Sequence, residues 1–333
     1  MTAPKLLTNF SAGTCVGRTL FVAADEHATI NRLVRRDREW VEADAHALAD
    51  LLPLQWPDEE ADIEGLAAND GWLWVIGSHA RTRAKPEQAD GESIDLKRLA
   101  ALKDTRPRCL VARIPLVREG GSWTPVRKNG KRRAGVLTQT KHGNVLSKAM
   151  RQDPLLGPFM RIPAKEGGVD IEGVAASGTR VALGMRGPVI SGHALLLEIE
   201  LDPRPSGKLR LAGHLSKRLL ALDGLGIRDL KRLGNDLLIL AGPTTALSGP
   251  CALYRWRKWV DDPPLDAAEV RLHRPERLFD LPFGTGFDHP EGLALIPGRF
   301  GKEQVMVIYD RPGAGRIDLH EGTFIADLFG LPS

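Results

Sequence analysis

The feature that most constrains this sequence is an internal repeat, in which a short acidic motif leads into an apolar run. The motif reads DIEG at residues 62–65 and again at residues 170–173. Looser copies begin at residues 226 and 288, and a weaker one opens the chain at residue 9. Tandem units of this kind bury their apolar faces by stacking against one another. The repeat therefore predicts one architecture assembled from similar units.

Each copy contains the pieces of a small antiparallel sheet. A Gly-, Asn- or Asp-containing turn follows the motif, as in Asn69-Asp70-Gly71, and these residues tolerate the backbone that hairpins need. In the fourth copy, two further strand-like runs cover residues 252–256 and 269–272. Four short strands per unit are typical of a propeller blade. We therefore predict an all-β fold: a single β-propeller over residues 1–333 with five four-stranded blades, or six if another lies between residues 105 and 165.

The second unit is too long for one blade and is predicted to carry insertions at about residues 85–105 and 128–165. Leucines and an isoleucine over residues 93–103 recur at the spacing of a short amphipathic helix. Residues 144–152 form a second candidate helix, with Asn144 as its cap and Pro154 as its stop. We expect both helices to decorate one face of the propeller.

Strand direction brings the repeated motifs together. If the first strand of every blade lines the central channel, Glu64, Glu172, Arg228 and Glu291 face one another around one mouth, with Asp62, Asp170 and Asp288 just outside. Converging carboxylates raise one another's pKa unless a cation compensates them. Arg228 is one candidate for that cation. The other is Ca²⁺ or Mg²⁺, for which the predicted ligands are Glu64, Glu172, Glu291 and Asp310.

Purely structural roles are also consistent with these residues. Channel glutamates that only accept hydrogen bonds from the next blade would tie the blades together. His79 is predicted either as a proton shuttle or as an exposed loop histidine. Cys15, Cys109 and Cys251 are odd in number and form no CxxC pair, so we expect buried, reduced thiols.

Cationic residues are predicted to surround the same mouth. Arg81, Arg83 and Lys85 follow Ser78 and His79 directly. Arginines suit phosphate or carboxylate recognition through paired hydrogen bonds. The sequence therefore predicts a small anionic ligand or a protein partner. The proposed anion-binding side chains are Ser78, Arg81, Arg186, Arg228 and Arg311.

Charge and hydropathy limit the other partners. The net charge is +4, and basic residues are spread along the chain apart from one dense run at residues 127–133. We therefore do not expect a nucleic-acid partner, which would depend on that run and Lys141 and would show steep salt dependence. No apolar stretch approaches the ~20 residues of a membrane span, and the first residues lack the apolar run of a signal peptide. We expect a cytoplasmic protein without membrane contact.

Four segments together carry a family resemblance: residues 62–67 (DIEGLA), 77–83 (GSHARTR), 185–188 (MRGP) and 241–244 (AGPT). They resemble a bacterial family catalogued only as a domain of unknown function, over about residues 9–325. The acidic strand is more distantly similar to the propellers of the esterase-like phytase group, which implies a phosphoester substrate. Arg228 replaces the glutamate of the other copies and so departs from a fully acidic ring.

Two functions follow from these features. The first is a hydrolase at the channel mouth, with or without metal assistance, acting on a small phosphorylated or otherwise anionic substrate. In it Glu64, Glu172 and Glu291 are metal ligands or a general base, His79 shuttles protons and the arginines clamp the anion. The second is a binding module in which the same face holds a protein, a peptide or a nucleotide without turnover. The fold hosts both classes and does not choose between them.

Overall fold

The structure is a computed structural model that describes residues 9–24, 28–37, 39–84, 95–298, 302–318 and 320–332. The first blade is an antiparallel sheet in the order β1-β2-β3-β4, followed by one short helix. β2 is buried along its whole length, whereas β4 alternates between exposed and half-buried residues because it is the outer edge. The elements are β1 (Phe10–Val16), β2 (Thr19–Ala24), β3 (Thr29–Arg36), β4 (Glu39–Ala47) and α1 (Leu48–Leu51).

The second blade has the order β5-β6-β7-β11, and β8 also pairs with β7. The elements of this region are β5 (Ile63–Asn69), β6 (Trp72–Gly77), α2 (Leu96–Ala100), β7 (Val111–Glu119), β8 (Ser122–Pro125), β9 (Lys128–Asn129), β10 (Arg132–Arg133), β11 (Gly135–Val136), β12 (Gln139–Thr140), β13 (Gly143–Asn144) and α3 (Val145–Gln152). Residues 111–136 complete this blade, so no sixth blade lies there.

Both predicted helices are present in this region. α2 is the described part of the first, and the rest of the segment at residues 85–94 lies outside the described residues. α3 begins after Asn144, whose side chain accepts a hydrogen bond from the Ser147 backbone (2.8 Å) while Ser147 Oγ accepts one from the Asn144 backbone (3.0 Å). This reciprocal cap fixes the start of α3, and Pro154 follows its end.

The third blade runs β14-β15-β16-β17 and the fourth runs β18-β19-β20-β22. Their strands are β14 (Asp170–Ser177), β15 (Arg180–Ile190), β16 (His193–Pro203), β17 (Leu209–Leu220), β18 (Gly226–Leu233), β19 (Asp236–Gly242), β20 (Cys251–Trp256), β21 (Val270–His273) and β22 (Glu276–Leu281).

One strand belongs to a different blade from the one the sequence predicts. Residues 269–272 were expected to be the fourth strand of the fourth unit, but β21 pairs in parallel with β17 of the third blade. β22 takes the fourth position instead. A short strand pattern indicates that a segment pairs with some strand but does not identify which one. Here β21 hydrogen-bonds to the free edge of β17.

The fifth blade is the sheet β23-β24-β27, and β25 and β26 form a separate hairpin. No fourth strand joins that sheet in the part of the chain that is described. The strands are β23 (His289–Pro297), β24 (Glu303–Asp310), β25 (Ile317–Asp318), β26 (Thr323–Phe324) and β27 (Asp327–Gly330). Single 3₁₀ turns are Arg106–Arg108, Phe159–Arg161, Ala164–Glu166, Trp259–Asp261 and Ala314–Arg316.

The ring closes by packing between the first and last blades. The innermost strands β1, β5, β14, β18 and β23 contact one another in sequence, and β23 contacts β1. Among the described residues no strand is shared across the closure, although Asn9 forms a bridge to Asp310. A buried apolar cluster that includes Phe10, Val22 and Ile308 joins the two blades. The protein is therefore a five-bladed β-propeller, as the repeat predicts.

The glycine after the motif glutamate explains how closely the blades approach. A Cβ on Gly173 would lie 2.9 Å from the Leu230 backbone nitrogen of the next blade, and one on Gly65 would lie 3.0 Å from Val174. Neither position has room for a side chain. Among the described residues, no helix is long and apolar enough to cross a membrane.

Candidate functional site

A β-bulge interrupts the innermost strand of every blade at the motif position. In each blade the pairing with the second strand skips one residue. A bulge leaves its extra residue out of the ladder and turns the strand locally. Five equivalent residues are thereby released at the same end of the propeller, which we call the channel mouth. They are Ser11, Glu64, Glu172, Arg228 and Glu291.

Arg228 lies between two of these carboxylates. Its Nε is 3.0 Å from Glu172 Oε2, and its NH2 forms a close ion pair with Glu291 Oε1. Glu172 belongs to the third blade and Glu291 to the fifth, so one guanidinium joins the neighbours on both sides. The arginine predicted as a compensating cation therefore does compensate two glutamates.

Arg186 compensates the same cluster from the second strand of the third blade. Its NH1 lies 2.8 Å from Glu172 and its NH2 lies 2.6 Å from Asp170. Burial alone would lower the pKa of Arg186, but Asp170 and Glu172 raise it above its usual value. Burial raises the pKa of Glu172, and the guanidiniums of Arg186 and Arg228 oppose that rise. Arg186, predicted to clamp an anion, is thus buried and held by carboxylates.

The second blade has a parallel arrangement around Asp62. Ser78 Oγ donates a short hydrogen bond to Asp62, and Arg108 NH1 lies 2.9 Å from the same oxygen. Burial raises the pKa of Asp62 to about 7, with Arg108 and Ser78 opposing the rise. Ser78, predicted to bind substrate, is buried and uses its hydroxyl here. In the fifth blade Arg316 Nε similarly lies 2.8 Å from Asp288.

His79 is buried, so its predicted exposure in a loop is wrong. Its Nδ1 lies 2.9 Å from the carbonyl of Gly77, and its Nε2 lies 3.0 Å from Nδ2 of Asn144. Asn144 Nδ2 also donates to the Cys109 carbonyl, so His79 Nε2 is the acceptor of the shared amide. Burial lowers the pKa of His79 to about 4. Both ring nitrogens are engaged, which leaves none to shuttle a proton.

The other predicted residues lie around the same mouth. Glu64 is half-buried at its bulge and is close enough to Arg186 to raise the pKa of that arginine. Asp310 ends β24 and lies 3.9 Å from Nε of Arg311, whose side chain is 64% exposed. Arg81 is half-buried. Lys85 lies outside the described residues.

The described donors do not assemble into a metal site. No three His, Cys, Asp or Glu side chains within the described ranges are grouped closely enough to hold an ion. Guanidinium groups stand between Glu172 and Glu291, where the predicted Ca²⁺ or Mg²⁺ would need free carboxylate oxygens. The donor set therefore does not fit a hard cation.

A small cleft opens beside Arg228, between the fourth and fifth blades. It has a volume of about 30 Å³, room for one or two water molecules. Arg228, Cys251 and His289 line it together with loop residues that include Ser248. His289 Nε2 is buried and has no hydrogen-bond partner in the part of the chain that the structure describes. Burial lowers the pKa of His289; Arg228, Arg311 and Lys165 lower it further, while Asp288 opposes them.

The sequence missed Arg108, Arg316 and the role of His289. Arg108 follows a long insertion and Arg316 lies in a 3₁₀ turn, so neither occupies a repeated position. His289 begins the last copy of the motif, two residues before Glu291. Its place in the repeat was a usable signal.

Three comparisons with known proteins bear on this chain. The model of a family described as "Protein of unknown function (DUF3616)" matches residues 9–327. None of the curated proteins is detectably similar in sequence. Solved structures with a similar chain course include an exo-1,5-α-L-arabinanase from a bovine ruminal metagenomic library, with 11% identity, a TM-score of 0.42 and coverage of 96% of this chain and 92% of that one.

Two further solved structures give similar values. Glutaminyl cyclase from Myxococcus xanthus has 11% identity and a TM-score of 0.43, covering 98% of this chain and 93% of that one. A xylan β-1,4-xylosidase from Bacillus halodurans has 13% identity and a TM-score of 0.40, covering 93% of this chain and 51% of that one. Likenesses this distant carry no information about the activity of this chain.

Proposed function

We propose that this chain, which belongs to the DUF3616 family of proteins of unknown function, is a hydrolase that binds a small anionic substrate at its channel mouth. The observation that carries the proposal is the cleft between the fourth and fifth blades. It combines a buried nitrogen of His289, to which no described residue hydrogen-bonds, with the guanidinium of Arg228. Burying a polar atom without a partner is costly, so such an atom beside a cleft favours a ligand.

The charges around the cleft favour an anion. Arg228, Arg311 and Lys165 lower the pKa of His289, against a single opposing carboxylate, Asp288, in the same set of neighbours. A phosphoryl or carboxylate oxygen placed against His289 would gain hydrogen bonds that no described residue supplies. Because the cleft is small, the ligand would place one compact group in it and leave its remainder at the open mouth.

One ring carboxylate can act first as base and then as acid in hydrolysis. The Glu291 side chain is 19% exposed and directly follows His289 and Pro290, which line the cleft, whereas Glu172 is only 5% exposed. We assign Glu291 as the general base that takes a proton from water as its oxygen attacks the substrate. Glu291 then gives this proton to the leaving group, while Glu172, held between Arg186 and Arg228, keeps Arg228 in place. Arg228 contacts both carboxylates and fixes their separation.

Ligand binding is tested first by NMR titration of His289. Inorganic phosphate and acetate serve as probes, and a bound anion is expected to raise the pKa of His289, with no shift in that of exposed His320. Arg228→Gln should weaken this response. No change in the His289 pKa at saturating concentrations of either probe would contradict the anion site.

Turnover is tested with p-nitrophenyl phosphate, sulfate and acetate, each with and without EDTA. Glu291→Gln is expected to lower kcat by about 10²-fold or more, and Glu321→Gln, at an exposed carboxylate remote from the motif, should leave it unchanged. Activity that survives EDTA supports a reaction without a metal. Activity abolished by EDTA and restored by Ca²⁺ or Mg²⁺ would contradict the assigned roles.

A binding module is the second candidate, and one specific observation favours it. Arginines neutralise the carboxylates of the mouth. These ion pairs would hold neighbouring blades together even in a protein that catalyses no reaction. A His289 pKa response to phosphate combined with no turnover of any of the three esters would support this candidate over the hydrolase.

A further inference from the structure

A second cationic region lies at the opposite end of the second blade. We call this end the turn face, because it carries the β5–β6 turn at residues 69–71. The basic run at residues 127–133 forms a hairpin there, built from β9 and β10 and closed by the bond from Ala134 N to Arg127 O (2.9 Å). Arg132 NH1 fastens this basic hairpin to the carbonyls of Asp70 (3.1 Å) and Gly71 (3.4 Å).

The basic hairpin presents five exposed cations without carboxylate partners. All five are exposed, and no ion pair joins any of them to a described residue. Lys128 and Arg133 are direct cross-strand partners. Like charges placed opposite each other destabilise a hairpin, so the arrangement is costly unless an anion lies against it. The five residues are Arg127, Lys128, Lys131, Arg132 and Arg133.

Arg113 extends this charge into the blade. Its guanidinium lies 3.9 Å from the centre of the Trp72 ring, and that of Arg132 lies 5.5 Å from the same centre. Arg113 makes no side-chain hydrogen bond or ion pair with a described residue, and its Nε is buried. Burial lowers the pKa of Arg113, and Arg132 lowers it further, because two guanidiniums share this space without a carboxylate.

We propose that the basic hairpin and Arg113 form a binding surface for the phosphodiester backbone of nucleic acid. Six cations spread over a hairpin and the strand behind it exceed what one small anion needs. A two-stranded β-ribbon is narrow enough to enter the major groove of DNA. Arg113 covers the Trp72 ring, so base stacking is not offered and binding is expected to be independent of sequence. The overall basic charge, with a pI near 9.0, favours the encounter.

This surface does not depend on the proposed hydrolase, because it lies at the other end of the blade from Glu64. The even spread of basic residues along the sequence argued against nucleic acid, but folding concentrates unpaired cations here. The sequence run was visible, whereas Arg113 joins it only through the pairing of β7 with β6 and β11.

The test is fluorescence anisotropy of the full chain with a labelled mixed-sequence DNA duplex of about 20 base pairs at several NaCl concentrations. We expect log K to fall linearly with log salt, with a slope of about −0.9 for each phosphate contacted. The triple variant Lys128→Gln, Lys131→Gln, Arg133→Gln should bind at least tenfold more weakly with a shallower slope. The matched triple variant Lys148→Gln, Arg161→Gln, Arg274→Gln removes three exposed cations elsewhere and should retain the slope.

Arg113→Gln, checked for folding by circular dichroism, should reduce the slope by about one. Equal affinity of both triple variants, or affinity independent of salt, would overturn the proposal. Tighter binding of labelled polyglutamate than of DNA would overturn it in favour of an acidic protein partner. Displacement of the DNA by millimolar inorganic phosphate at constant ionic strength would reduce the surface to a site for a single anion and would equally overturn it.

Discussion

The two ends of the second blade and its neighbours use arginine in opposite ways. At the channel mouth, Arg186 and Arg228 are buried and contact two carboxylates each. At the turn face, Arg113 and Arg132 flank Trp72 and contact no described carboxylate. A buried guanidinium between carboxylates orders the parts of a structure that it joins. A guanidinium without one is available to a ligand.

The largest effect is expected from removing a buried arginine at the channel mouth. Arg228→Met removes the cation shared by Glu172 and Glu291 and leaves two carboxylates in a poorly solvated place. Removing one partner of a buried ion pair costs about 3–5 kcal/mol. We therefore expect the free energy of unfolding, measured by urea denaturation at pH 7, to fall by that amount.

The matched control is Arg113→Met at the turn face. No carboxylate loses a partner there, so the loss is limited to the contact with Trp72, about 1 kcal/mol or less. If Arg228→Met and Arg113→Met lowered the free energy of unfolding by similar amounts, arginine would not have a different structural role at the two ends. Adding Glu291→Gln to Arg228→Met should recover part of the loss, because Glu172 keeps Arg186 whereas Glu291 loses its cation among the described residues.

The next effect uses pH, to which the mouth responds and the turn face does not. His79 is neutral in the folded protein because burial lowers its pKa from 6.5 to about 4. Between these values the unfolded chain binds the proton and the folded protein does not. Stability from this group is therefore complete above pH 6.5 and falls as the pH drops to 4, by about 3 kcal/mol.

The measurement is urea unfolding at pH 4.5 and pH 7.5. His79→Asn keeps a residue that tolerates the positive φ of 55° at this position. Asp62, whose pKa burial raises to about 7, changes stability in the opposite direction in both proteins. The free energy of unfolding should therefore rise less from pH 4.5 to pH 7.5, or fall more, in His79→Asn than in the parent protein. His320→Asn removes a histidine that is 93% exposed and should not change that difference. A parent protein with equal stability at both pH values, together with an unchanged variant, would contradict the assigned pKa.

The smallest effect tests the turn face. Lys128→Glu replaces a like-charge cross-strand pair with an attractive one and should stabilise the protein by about 0.2–1 kcal/mol. The gain is expected in the Tm at low salt and should shrink as salt screens the exposed pair. A lower Tm for Lys128→Glu than for Lys128→Gln at low salt would show that Lys128 and Arg133 do not repel each other.

Much of the fold could be read from the sequence because its signals are local and repeated. The motif, the turn after it and the apolar run recur in register, so the blades and the places of Glu64, Glu172, Arg228 and Glu291 around one mouth could be predicted, while the number of blades stayed at five or six and the bulges were not foreseen. The family resemblance is confirmed over residues 9–327. The partner of β21 could not be read, because pairing between blades leaves no trace in strand composition.

For the candidate site, too, part could be predicted from the sequence and part could not. The sequence by itself determined which residues reach the channel mouth, because a bulge at a repeated position brings equivalent residues to one end of a closed ring. Only the tertiary structure decided what those residues contact. Arg108 and Arg316 arrive from insertions and turns, His79 is buried by Asn144 from α3, and Arg113 joins the basic hairpin across a sheet. Such contacts join residues far apart in the chain, and their free energy depends on burial, which no local pattern specifies.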